Sequence, residues 1–219
     1  MQKNRNEEGT AKMPPSVKFT KDEIVEAALR VTREGGIDSL TARSLAAELG
    51  ASTRPMFTYF ETVDELRHEV HEAAKGVYRA YIERGLAEPV PFLGVGRNTI
   101  RFAREEPELF RLLFLQKPDG ADGGAAEALA FSQDLVRDSI MGIYKMDAYE
   151  ADCYYRNLWL IAFSFCAMIA AGECPYTDEQ MSAMFTEVSL AVCKAYKEVP
   201  GLVDGTYDRD AIFRGLVGE

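Results

Sequence analysis

Arg54 lies in the stretch Ala51-Ser52-Thr53-Arg54-Pro55-Met56-Phe57-Thr58-Tyr59-Phe60. A guanidinium there is a planar fork. It can donate two parallel hydrogen bonds to the edge of a guanine, a contact worth roughly 1–3 kcal/mol of discrimination between bases. Thr53 adds a hydroxyl beside it, and Thr58 and Tyr59 add two more about a turn later, toward backbone or base edges. Upstream, Thr41 and Arg43 combine a hydroxyl, a cation and the free amides of a helix start, a set suited to gripping phosphate. The plainer alternative for each is a solvated surface side chain.

Other constellations carry less. His68 and His71 in HEVHE are three residues apart with Glu72 adjacent, which does not match the four-residue spacing of helical zinc proteases. They read as two exposed histidines, and no metal site is expected. Arg97, Arg101 and Arg104 share a helical face and could meet an acidic ligand, but Glu105 and Glu108 make a solvated charged face the simpler reading. Cys153, Cys166, Cys174 and Cys193 show no C-x-x-C pairing and read as buried small hydrophobes. No Gly-rich phosphate loop, nucleophile elbow or triad-like set is visible, so neither an enzyme nor a cofactor is expected.

The elements that must hold Arg54 in place are short helices. Thr41 can cap a helix with Leu45, Ala46 and Leu49 on its inner face, and Gly50 permits a left-handed turn. Ser52 can cap the next helix, with Pro55 in its first turn and Met56 and Phe60 four apart on one face. Ala46 is small where two helices must cross closely. This is the recipe of a helix-turn-helix, in which the first helix braces and the second presents its N-terminal residues to the major groove. A short second helix suffices because the groove admits only a few side chains. An ordinary pair of short bundle helices is the alternative.

Further caps punctuate the chain. Thr20 with Glu23 opens a helix carrying Ile24, Ala27, Ala28 and Val31, and Gly35-Gly36 stops it. Phe19 can clasp Ile24 across its first turn. Thr62 with Glu65 opens a long helix to about Arg84, Asp147 with Glu150 another to near Glu173, and Thr177 with Gln180 a third, stopped by Pro200-Gly201. Tyr176 and Met181 offer a clasp for the last. Pro91 and Pro107 suit the first turns of two more. Residues 116–124 read as a loop, and residues 1–18 as a disordered basic arm with Lys12 and Lys18 near its end. No period-2 strand appears. The fold class is all-α, with nine or ten helices.

The totals agree with that division. Net charge is −10, yet residues 1–60 hold nine basic and eight acidic residues, while the remainder holds sixteen and twenty-seven. The acid sits away from the helix-turn-helix, which permits nucleic-acid binding without arguing for it. The longest uncharged apolar run, Leu158–Ala171, is too short to span a bilayer and reads as a buried helix, so no membrane partner is expected and a cytoplasmic location is. Phe102, Phe110, Phe114, Phe131, Tyr155, Trp159, Phe163 and Met168 are core by default. A ligand pocket in such a bundle would draw on Phe102, Phe110, Phe114, Tyr155, Trp159 and Phe163, and its occupant would be apolar or aromatic. Met181, Phe185, Val188 and Val192 form one stripe. With Ile161, Phe165 and Ile169 they build either a four-helix dimer interface or an intrachain core.

From Phe19 to Val70 the chain resembles the TetR/AcrR transcriptional regulators, through the Gly-Gly helix end, LTARSLAAELGAS, the aromatic block MFTYF and the following ETVDELRHEV. LWLIAFSF resembles the tryptophan-containing eighth helix of some members, with Phe163-Ser164 where those members often carry His-Gly. The resemblance implies a homodimer on a palindromic duplex-DNA operator. It implies a DNA-binding domain over residues 19–65 and a ligand-binding and dimerisation domain over residues 66–219. It implies a repressor released by a small molecule. The candidate DNA contacts are then Thr41, Arg43, Ser52, Thr53, Arg54, Pro55, Phe57, Thr58 and Tyr59. Two positions depart from the family pattern. Phe57 stands where a tyrosine hydroxyl usually reaches phosphate, and Val63 where a lysine often does. Such losses weaken non-specific binding and its salt dependence. They leave open a second function: a helical ligand- or protein-binding module with a degenerate helix-turn-helix.

Overall fold

The computed structural model describes residues 19–116 and 124–218, all helix and connection with no strand among them. The expected arm at residues 1–18 lies outside the described residues, as does residues 117–123 of the expected loop. Helices α1 (Lys21–Gly35), α2 (Ala42–Glu48), α3 (Met56–Tyr59) and α4 (Val63–Leu86) come first, with a short 3-10 turn at Ile37–Ser39. Then follow α5 (Pro91–Glu105), α6 (Pro107–Phe110), a π-helical turn at Arg111–Leu115, α7 (Ala125–Tyr144), α8 (Ala148–Ala170), α9 (Asp178–Glu198) and α10 (Arg209–Val217).

Local chemistry sets most boundaries. Thr20, Asp147 and Thr177 each accept from the backbone three residues on, while Glu23, Glu150 and Gln180 return the bond. Each box satisfies two donors that the helix start would otherwise leave free. Thr62 accepts from Glu65 N at 3.1 Å, but the Glu65 carboxylate turns to the Glu61 amide at 2.8 Å, so this cap is one-sided. Pro91 and Pro107 take first-turn positions. Helix α8 stops three residues before the expected Glu173, because Gly172 turns left-handed and Glu173 N bonds back to Met168 O at 3.0 Å. Tyr176, expected to clasp Met181, has another neighbour in the fold. It meets the edge of the Phe165 ring, while Met181 is buried beside Cys174.

One continuous core runs from Ile24, Leu45 and Met56 through Leu66, Val70, Ala74 and Tyr78 on α4 to Phe102, Phe114 and Trp159. Helix α4 therefore buries a stripe that spans both ends of the chain. At its far end a side chain on Gly85 would strike the backbone of Gly94 and Val95, so α4 and α5 meet almost backbone to backbone. Arg33 of α1 forks onto Glu106 at 2.8 and 2.9 Å, a bidentate tie between α1 and the start of α6. Helix α8 is long and apolar enough to cross a membrane by composition alone, but it buries Tyr154, Leu158, Ala162, Phe165 and Cys166 against its neighbours. The stripe over α8 and α9 divides. Phe165, Met181 and Phe185 are buried in the chain's own core, whereas Ile161, Ile169, Val188 and Val192 are only half-buried.

Candidate nucleic-acid interface

Helix α2 opens on a reciprocal cap. Thr41 Oγ1 accepts from Ser44 N at 3.1 Å and Ser44 Oγ accepts from Thr41 N at 2.9 Å. Ser44 also donates to Ser39 O at 2.8 Å, which ties the helix start to the preceding turn. At the other end Gly50 has φ +59, Gly50 N bonds Ala47 O at 3.1 Å, and Ala51 N bonds Ala46 O at 3.0 Å. This pair of bonds closes the helix in a Schellman turn, which needs a left-handed residue at Gly50. Its direction aims the next residues away from the core.

The residues that follow differ from expectation in one respect. Ser52 does not cap α3. Its hydroxyl takes only a long 3.4 Å bond from Arg54 N, and α3 proper begins at Met56 with Pro55 in helical geometry before it. The proline has no amide to give a capping side chain, so the start is a turn, Thr58 N bonding Pro55 O at 3.2 Å. Met56 and Phe60 anchor this short helix, both buried.

The outward face is composed as the recognition reading needs. Ser52, Thr53, Arg54, Phe57, Thr58 and Tyr59 are exposed, as are Thr41 and Arg43, while Pro55 is half-buried. Phe57 is 55% and Tyr59 46% exposed. Neighbouring cations are engaged: Lys21 with Glu69 at 2.6 Å, Arg30 with Glu48 at 2.5 Å, Arg67 with Asp64 at 3.0 Å. Among the described residues Arg43 and Arg54 have no carboxylate partner. Their charge is therefore free for an external anion. Tyr59 is not free in the same way: its hydroxyl donates to Phe19 O at 3.0 Å and pins the start of α1 to α3.

Residues 24–70 match the family model described as bacterial regulatory proteins, tetR family. The chain carries a TetR-family domain at its N-terminus. The whole fold agrees with that domain. A Rhodococcus sp. RHA1 protein of unknown function superposes with a TM-score of 0.62 at 19% identity, covering 84% of this chain and 98% of that one. A TetR family member from Streptomyces coelicolor A3 gives 0.54 at 21% identity, covering 75% and 95%. A TetR variant from Acinetobacter baumannii AYE, solved in complex with minocycline, gives 0.53 at 16% identity, covering 82% and 97%. No curated protein matches the sequence. The fold is that of a DNA-binding transcriptional regulator.

In the C-terminal bundle the aromatic residues stack. Trp159 lies parallel to Phe163 at 5.2 Å and to Phe114 at 5.9 Å, and Phe114 stacks on Phe110 at 4.5 Å. Phe102 packs on Tyr78 at 5.1 Å. Phe102, Phe110, Phe114, Tyr155 and Trp159 are buried, and Phe163 is half-buried. A cavity of about 10 Å³ lies among Phe92, Gly96, Thr99, Tyr155, Trp159 and Phe185.

The polar groups here are unusual. The Tyr155 hydroxyl, the Tyr78 hydroxyl and the Trp159 indole N–H are all buried without a hydrogen-bond partner among the described residues. Tyr78 lies beside Thr99, Ser132 and Trp159, and Tyr155 beside Ser132 and Tyr78. Thr99 and Ser132 donate to Val95 O at 2.9 Å and Ala128 O at 2.8 Å, and their oxygens, though still able to accept, lie near the two phenols without reaching hydrogen-bond geometry. Burial pushes Tyr78 up to about 12 and Tyr155 well above the ordinary phenol value, so both stay neutral. Sequence reasoning missed Tyr78, Thr99 and Ser132 at this site. Tyr78 was findable, since Leu66, Val70, Ala74 and Tyr78 recur every four residues; the two hydroxyls left no signal.

The histidine pair is a correction. His68 is exposed, but His71 is buried, on the α4 face turned toward α7.

Proposed function

We propose that the protein is a ligand-responsive repressor that binds a palindromic operator as a homodimer and leaves it when a small molecule occupies the C-terminal bundle. The observation that carries the reading is the unpaired, exposed Thr53–Arg54 tip, held outward by the Gly50 turn. Two such tips in a dimer read half-sites about 34–36 Å apart. Arg54 supplies base discrimination; Thr41, Arg43, Thr53 and Thr58 supply phosphate contacts. Residues 19–65 act as the reader and residues 66–219 as the sensor and dimeriser, in the compartment that holds the DNA.

The dimer face uses the half-buried Ile161, Ile169, Val188 and Val192 of α8 and α9, with Phe165, Met181 and Phe185 as the core beneath. The effector is uncharged and flat. It stacks in the Phe114–Trp159–Phe163 set and bonds the orphaned Tyr155, Tyr78 and Trp159 groups. The Acinetobacter protein, similar in fold, is in complex with minocycline. Ligand acts by favouring a geometry in which α4 moves the two tips off their spacing.

Electrophoretic shift on duplexes selected by the protein from a random pool tests the reading. Wild type prefers its selected site by at least ~10³ over random duplex. Arg54→Ala relaxes the preference at one base pair per half-site by roughly tenfold or more. A wild type with no preference at low salt overturns it in favour of a module with a degenerate helix-turn-helix.

A further inference from the structure

We infer that the α4–α7 junction holds a site for one divalent transition-metal ion, ligated by His71, Glu72 and Glu127. One donor atom from each of the three lies within 4.8 Å of the others. Bound at ~2.0–2.2 Å, such an ion wants donors somewhat over about 3 Å apart, a shift that side-chain rotation supplies. Geometry of this kind is common among acidic groups and would not count alone.

The second observation is what the site leaves undone. His71 is 6% exposed, and its Nε2 is buried with no partner among the described residues. Glu127 Oε2 is orphaned in the same way. Both residues line one cavity of about 10 Å³, with Lys75, Tyr78 and Phe131 completing it. A buried imidazole nitrogen and a buried carboxylate oxygen, both lacking partners beside one cavity, are a donor set waiting for a cation.

A cation already marks the position. Lys75 Nζ sits 2.7 Å from Glu72 and 3.1 Å from Glu127. Its flexible four-carbon stem lets it retreat toward solvent, so a dication competes with it for the two carboxylates. One nitrogen and two carboxylates suit a borderline ion such as Zn²⁺. They do not suit Ca²⁺, which takes oxygen alone, or Cu(I), which takes thiolate. The ion would clamp α4, which leads out of the helix-turn-helix, to α7 of the bundle. Metal binding stands apart from the repressor reading and survives its failure.

The test is calorimetric titration of the metal-stripped full-length protein with Zn²⁺, paralleled by Co²⁺ visible absorption. One ion binds per chain. His71→Ala and Glu127→Gln each weaken it at least ~10-fold. Lys75→Met tightens it, because the competing charge has gone, and His68→Ala changes nothing. Circular dichroism checks that each variant is folded; if His71→Ala is not, Glu127→Gln and Lys75→Met decide. Three results overturn the site: no stoichiometric binding, binding that survives both His71→Ala and Glu127→Gln, or a thiolate charge-transfer band with Co²⁺, which would move the ion to cysteine.

Discussion

Removing the Tyr155 hydroxyl should make the ligand-free protein more stable. Tyr155 is 4% exposed and its hydroxyl has no partner among the described residues. Mutational data put the cost of burying an unbonded hydroxyl at about 1–3 kcal/mol. The adjoining cavity of about 10 Å³ is at the threshold for one water, which would recover part of that cost. The lower end is therefore the expectation: Tyr155→Phe gains about 1 kcal/mol, with no new cavity because the ring is kept. For a chain of 219 residues that is a rise of roughly 2–4 °C in Tm. Urea unfolding is read by the fluorescence of Trp159, the single tryptophan, which is buried against Phe114 and Phe163. Protein concentration is held fixed, because the proposed dimer would contribute to apparent stability. If the proposed effector binds here, the same variant also loses sensitivity to it, because one polar anchor is removed. A Tyr155→Phe protein destabilised by more than about 0.5 kcal/mol refutes the reasoning: the hydroxyl would then be bonded in the native state, and the pocket would have no vacancy to offer.

Three further outcomes are expected. Gly50→Ala costs about 1–2 kcal/mol in equilibrium unfolding, since a side chain there meets nothing within 4 Å and the loss is purely that of φ +59. Gly50→Asn costs less, because asparagine tolerates left-handed backbone, and equal losses would show that the turn is not held in that conformation. Val63→Lys steepens the log–log salt dependence of DNA binding by about 0.9 per protomer, whereas Phe57→Tyr raises affinity with little change in slope, because a phenol adds no charge. In alkali, the raised pKa of Tyr78, about 12, with those of Tyr154 and Tyr155 also raised by burial, means the unfolded chain releases protons first. Stability is intact below about pH 10 and falls as pH climbs toward 12, by up to ~1.4 kcal/mol per unit per tyrosine. The share of tyrosinate absorbance that belongs to these three of the ten tyrosines should therefore rise with unfolding rather than before it.

The sequence by itself determined the capped helix starts, the Gly50 turn and the exposed tip at Thr53–Arg54, though not the start of α3, where Pro55 and not Ser52 stands at the cap. Each of these rests on groups within about five residues of one another. Thr41 meets Ser44, Asp147 meets Glu150, and Ala51 reaches back to Ala46, so the chemistry is written locally. The period of α4 likewise announces its buried stripe. Tertiary structure alone decided which polar groups lack partners and which apolar ones are spent. His71 looked like a solvated neighbour of His68, since the two lie only about 60° apart round the helix, but α7 covers the side of α4 on which His71 falls and leaves His68 in solvent. Phe165, Met181 and Phe185 fitted a dimer seam as well as a core until the fold buried all three within the chain, Phe185 against Gly96 of α5. The seating of α3 against α1 was set this way too: the Tyr59 hydroxyl bonds Phe19 O forty positions back, a contact that no spacing in the chain foretells.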